Sequence, residues 1–178
     1  MTDGAMGVLS FEFVTELYLI RHGIAAERGT YADDRDRALT EKGRDRTAQV
    51  AQRLLALGCR FDTLLTSPLV RAVETATILV TTGLAATYSI TPTLAPEGDI
   101  ADWLSWLAPW QAEHPQGTLA LVGHEPDLSI WAQSLIAGTP HGNWQLKKAG
   151  VMGLSVPPAE QALGHSELFW LAPPRLLL

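Results

Sequence analysis

With 178 residues, of which 47% are hydrophobic and 18% charged, the chain has the size and composition of one packed domain and not of an extended disordered polymer. Its formal net charge of −6 argues against general nucleic-acid binding, which needs a basic surface to neutralise phosphates. No apolar run is long enough to span a bilayer, and one cysteine, Cys59, can form no internal disulfide, as suits a reducing compartment.

Residues 1–15 read as a tail or first extended segment, with Phe11, Phe13 and Val14 alternating toward a strand, and residues 16–178 read as a single domain. Asp3 and Glu12 without a basic start do not resemble a secretory leader, so a cytoplasmic location is expected. Residues 17–20 are apolar in succession, the pattern of a strand buried on both faces of an α/β sheet. After a polar loop, Thr40 is the predicted cap of a helix carrying Val50, Ala51, Leu54 and Leu55 at helical spacing, with Gly58 as its stop. Residues 61–66 predict a second buried strand, and Ser67-Pro68 the cap and first-turn proline of a helix running to about Thr82.

Further along, residues 86–90 predict a third strand, and residues 100–113 a helix that Pro109 should kink or divide. Residues 118–122 predict a fourth strand and residues 127–136 a helix stopping at Gly138, while residues 151–156 and 168–171 read as closing strands of a sheet edge or hairpin. The expected architecture is α/β, a three-layer α/β/α sandwich with a mostly parallel, mixed central sheet.

Two strands end alike, in Arg21-His22-Gly23 and in Gly123-His124-Glu125. Open parallel sheets bind ligands outside the carboxyl ends of their strands, which brings His22 and His124 together despite their separation in the chain. Arg71 follows the second strand in an early helical turn, where free N–H groups and the helix dipole favour an anion. Nine of the ten arginines fall between Arg21 and Arg71; most suit a solvated face, and a minority can converge on one anion. Two histidines among arginines have the character of a phosphate site. A neutral imidazole can attack phosphorus and carry the phosphoryl group, while arginines and a second histidine offset the charge that builds up. Gly23 is expected to let the backbone turn tightly beside that centre.

The stretches "LYLIRHG" at 17–23, "RALTEKG" at 37–43, "SPLVRAVETA" at 67–76 and "VGHEPDLS" at 122–129 resemble, in order and spacing, the signatures of the histidine phosphatase, or phosphoglycerate mutase-like, superfamily. The short chain, the "RALT" and "GHEP" forms and the C-terminal segment at 168–174 are similar to its SixA-type phosphohistidine phosphatases. The resemblance implies that His22 is the transiently phosphorylated nucleophile, that Arg21 and Arg71 hold the phosphoryl oxygens with His124, and that Arg37 is a fourth phosphate ligand. It also implies a metal-independent hydrolase without a cofactor, acting on phosphohistidine in a protein or on a small phosphorylated compound.

The general acid departs from the mutase pattern: a Leu-x-Glu glutamate is expected after the third strand, but Leu94-Ala95 leads to Pro96. Glu97 and Glu125 are the substitutes, each weighed against a plain solvated carboxylate. A phosphoramidate, whose leaving nitrogen can be protonated beforehand, relaxes the need for a strong acid. Trp103, Trp106 and Trp110 at helical spacing are expected to pack on the sheet, with Trp131, Trp144 and Trp170 treated likewise. His114, His141 and His165 show no metal-ligand pairing, so no metal is assigned. Lys147-Lys148 reads as a lysine-guarded strand edge or as steering for an acidic partner. The alternatives are mutase-like phosphoryl transfer, disfavoured by Pro96, and a non-catalytic phosphate-binding module, disfavoured by an intact His22.

Overall fold

In the computed structural model, which describes residues 14–142 and 144–178, strand β1 (Thr15–Arg21) occupies a central position in a six-stranded sheet. Its alternate side chains divide the interior: Leu17 and Leu19 join one core, Tyr18 and Ile20 the other. Strand β4 (Thr118–Gly123) repeats the division, with Leu119 and Leu121 on the first side and Ala120 and Val122 on the second. A strand buried on both faces must be apolar at every position, which is why these two read so plainly.

The remaining elements cover those faces. Helices α1 (Glu41–Ala56) and α2 (Val70–Thr82) put Val50, Ala51, Leu54, Ala72, Ala76 and Leu79 into the core around Tyr18. Helices α3 (Ile100–Glu113) and α4 (Asp127–Ala137) put Trp103, Leu107, Trp131 and Leu135 into the core around Leu17. With β2 (Thr63–Thr66), β3 (Ser89–Ile90), β5 (Val151–Val156) and β6 (Glu167–Ala172), the sheet order is β3-β2-β4-β1-β5-β6. Pairings among β1 to β4 are parallel, and those of β1 with β5 and β5 with β6 antiparallel. This is the expected three-layer sandwich. Among the described residues no helix is long and apolar enough to cross a membrane.

Several expectations change in detail. The tail expected at 1–15 falls outside the described residues except for Val14 and Thr15, and Thr15 already belongs to β1. Thr40 caps α1 as expected, its hydroxyl accepting from Gly43 N at 3.0 Å. Helix α2 begins at Val70, not at Pro68, and its flanking residue Leu69 has no side-chain cap. β2 starts only at Thr63, because Phe61 N bonds to Leu84 O and only Asp62 N reaches β4, at Thr118 O. The edge strand β3 shrinks to two exposed residues. Pro109 does not divide α3. It lies on the exposed face near exposed Ser105, where solvent can satisfy the carbonyl that the missing N–H leaves free. Trp103, Trp110 and Trp131 are buried, but Trp106 and Trp144 are exposed, so the tryptophan stripe is only partly core.

Candidate active site

The parallel registers set three strand ends side by side. Arg21 faces Gly123 across β1 and β4, and Thr66 faces Val122 across β2 and β4. The ladder runs one step further, with His22 N donating to Gly123 O and Ser67 N to Val122 O at 3.1 and 3.0 Å. His22 and His124 therefore emerge together, their ring centroids 5.1 Å apart.

His22 is 5% exposed, and its Nδ1 lies 2.7 Å from its neighbour's carbonyl, Gly23 O. A carbonyl only accepts, so Nδ1 carries the proton and Nε2 keeps its lone pair. Burial, then the adjacent His124, push the His22 pKa down to about 2, with Arg71 and Arg21 adding to the effect and the Gly23 bond opposing it. His124 is lowered to about 4, by burial first and then by Arg71 and Arg21. Its Nε2 is 2.7 Å from Ser67 Oγ, and its Nδ1 is buried without a protein partner.

These shifts carry a sign for stability. Both imidazoles are neutral in the folded chain and gain protons on unfolding once the pH is below the ordinary value of 6.5. Their contribution is complete above that value and is lost progressively as the pH falls toward the folded-state values. His22→Asn removes one such group. Denaturant melts between about pH 6 and 4.5 are expected to show a pH slope shallower than wild type by up to about 1.4 kcal/mol per unit; equal slopes would contradict the buried neutral state.

Three arginines surround the pair. Arg21 Nη1 donates to Leu146 O at 2.8 Å. Arg71, 4% exposed, donates to Asp34 O at 2.7 Å and pairs with its carboxylate at 3.0 Å. Arg37 pairs with the other oxygen of the same carboxylate at 2.9 Å and donates to Ala26 O at 2.8 Å. Arg21, Arg71 and His124 each retain a buried nitrogen with no protein partner, and all three line one cavity of about 660 Å³ with His22 and Arg37. Buried polar atoms are normally satisfied, and the unmet Nε–H donors of Arg21 and Arg71 beside a cationic cavity suit an anion.

A family model described as the histidine phosphatase superfamily (branch 1) matches residues 17–103, a span that runs from within β1 to the first turn of α3. The chain is 48% identical to an uncharacterized protein of Picosynechococcus sp. over 164 residues, 92% of this chain and 99% of that one.

The chain belongs to the histidine phosphatase superfamily.

Solved structures agree on the architecture. A protein histidine phosphatase SixA complexed with tungstate matches with a TM-score of 0.79 at 23% identity, covering 92% of this chain and 99% of that one. Phosphoglycerate mutase from Bacillus anthracis matches with a TM-score of 0.69 at 13% identity, covering 93% and 96%. At such identities the likeness concerns the fold.

Of the two acids anticipated from sequence, both line the cavity. Glu125 is half-buried, and burial raises its pKa against the bonds it accepts. Ser129 Oγ donates to its Oε1 at 2.8 Å and Leu146 N at 3.3 Å, so Oε2 takes no bond among the described residues. Glu97 is exposed, holds a positive φ of 68° and donates its N–H to Asp127.

Gly23 requires a correction. It does not line the cavity, and its backbone is not in the left-handed region that only glycine enters freely. A Cβ there would overlap Thr47 Oγ1 on α1, so the residue is small to let the helix close on the strand end. Its N–H donates to Thr75 Oγ1, which in turn donates to Arg71 O; this tie holds α2, and with it Arg71, against the His22 backbone.

Four residues that the sequence reading did not place at the site belong to it. Ser67, read as a helix cap, is the His124 partner; the strand-end rule that found both histidines would have found it too. Asp34 sits three positions before Arg37, a spacing that signals a local ion pair. Asp127 and Lys148 also line the cavity. Lys147-Lys148 is no strand edge, since the pair precedes β5 in a loop.

Proposed function

We propose that the protein is a cytoplasmic, metal-independent phosphatase that hydrolyses phosphohistidine in a protein through a phosphohistidine intermediate on its own His22. The observation that carries this reading is the fixed tautomer of His22: Nδ1–H held by Gly23 O leaves Nε2 unprotonated in a cavity lined by four arginines, Arg21, Arg28, Arg37 and Arg71. Attack by the Nε2 lone pair forms an N–P bond as the bond from phosphorus to the leaving nitrogen breaks, and that nitrogen departs protonated. Water then attacks phosphorus, the P–Nε2 bond breaks, and inorganic phosphate leaves with His22 restored.

Arg21, Arg71, Arg37 and His124 hold the phosphoryl oxygens and offset the charge that grows on them in both steps. Asp34 bridges Arg37 and Arg71 in the free chain, so an entering phosphoryl group competes with its carboxylate for the same guanidinium groups. Glu125, raised by burial, is the better placed proton donor, with Glu97 second. A phosphoramidate asks less of either residue than an ester does. Among the described residues no three His, Cys, Asp or Glu side chains are grouped to hold a metal ion, and the proposed chemistry uses none.

A comparison of kcat/KM on a phosphohistidine peptide, p-nitrophenyl phosphate and the two phosphoglycerates tests the reading. The expected preference for phosphohistidine is at least about tenfold, a difference of about 1.4 kcal/mol in transition-state binding. Efficient interconversion of the phosphoglycerates, or a preference for an ester, would overturn it.

A further inference from the structure

A second concavity, about 300 Å³, is lined by Arg46, Lys147, Pro173, Pro174, Arg175 and Leu178. Its three cations come from separate parts of the chain: α1, the turn before β5, and the short 3-10 turn Pro174–Leu176 after β6. None pairs with a carboxylate among the described residues; Lys147 Nζ donates only to Gln145 Oε1, at 3.2 Å. In a chain of net charge −6 this is a local reversal of sign. The prolines and Leu178 add apolar surface to the lining, a combination that suits an extended acidic segment: its carboxylates meet the cations and its side-chain carbon the apolar surface.

The groove adjoins the catalytic cavity through one turn. Lys147 lines the groove and Lys148 the cavity, and consecutive Cα atoms lie about 3.8 Å apart. That turn is not free to wander. Ala149 N donates to the carbonyls of Arg21 and His22 at 3.1 and 3.2 Å, and Gly150 N closes the turn on Lys147 O at 2.7 Å.

We propose that this groove docks an acidic segment flanking the phosphorylated residue of a protein substrate, with the Lys147-Lys148 turn as the link between docking and chemistry. The proposal rests on the reading of His22 as the centre of a protein phosphatase, and it makes the substrate class narrower: a phosphoprotein with clustered Asp and Glu beside the modified side chain. A small phosphorylated compound would use the cavity alone.

The test compares two phosphohistidine peptides, one flanked by aspartate and glutamate and one by serine and glutamine, on wild type and on the surface variant R46E/R175E. Wild type is expected to favour the acidic peptide about tenfold in kcat/KM, chiefly through KM. That advantage shrinks as salt rises from about 0.05 to about 0.5 M, since exposed charges are screened. In R46E/R175E the advantage disappears while p-nitrophenyl phosphate is turned over as in wild type. Equal kcat/KM for the two peptides on wild type, or an advantage that persists in the variant, would overturn the docking site. A fluorescein-labelled, unphosphorylated acidic peptide followed by anisotropy separates the two ideas. If phosphohistidine is not hydrolysed yet the peptide binds wild type and not the variant, the substrate reading fails and the groove stands; if it does not bind, the groove fails.

Discussion

His22→Asn is expected to lower kcat by at least about 10⁴-fold, the scale on which loss of a covalent nucleophile acts. Asparagine is near in size to imidazole, keeps a donor that can reach Gly23 O and adds no charge to a position that is 5% exposed, so the fold should survive. The four buried or half-buried cations around the cavity also remain, and affinity for tungstate should persist within about tenfold of wild type. The distinguishing result is this split, with turnover lost and anion binding kept. A variant that loses both in proportion would point to a role for His22 in binding alone.

Arg71→Met carries the second largest effect, a loss of about 10²-fold to 10³-fold in kcat/KM. Arg71 is the most constrained of the arginines: its guanidinium lies on Asp34 and its carbonyl is tied through Thr75 to the backbone at Gly23. Removing it takes away a planar donor to the phosphoryl oxygens and leaves Asp34 to Arg37. Arg71→Lys restores the charge without the fork and should recover about one of the lost orders of magnitude. Steady-state kinetics paired with tungstate affinity check this, and because the group acts in the transition state the fall in kcat should exceed the fall in affinity. Near-wild-type turnover by Arg71→Met would remove Arg71 from the chemistry.

What could be read from the sequence and what could not divide along physical lines. β1 and β4 were legible because a strand buried on both faces leaves no polar position, and the strand-end rule then placed His22 beside His124 before any register was known. The start of α2 was misread because serine followed by proline is the usual sign of a cap. Here the Ser67 hydroxyl faces His124 at 2.7 Å and serves Leu69 N only weakly, at 3.3 Å. Asp34 escaped notice because half of its role lies with Arg71, on a different element. Lys148 reads with Lys147 only as a charged pair: its place at the cavity depends on how the chain returns to pair β5 with β1. Gly23 reads in the sequence as a tight turn beside the centre, whereas the demand on it in the fold is the closeness of Thr47.

The central claim is that phosphorus becomes bonded to His22. Rapid quenching into alkali after mixing the enzyme with a ³²P-labelled phosphohistidine peptide, followed by mapping of the labelled fragment, tests it most directly, because phosphohistidine survives alkali and is lost in acid. The account predicts label on the fragment containing His22, acid-labile and alkali-stable, rising before inorganic phosphate accumulates and missing from His22→Asn. Label on any other residue, or undiminished phosphate release by His22→Asn, would contradict it.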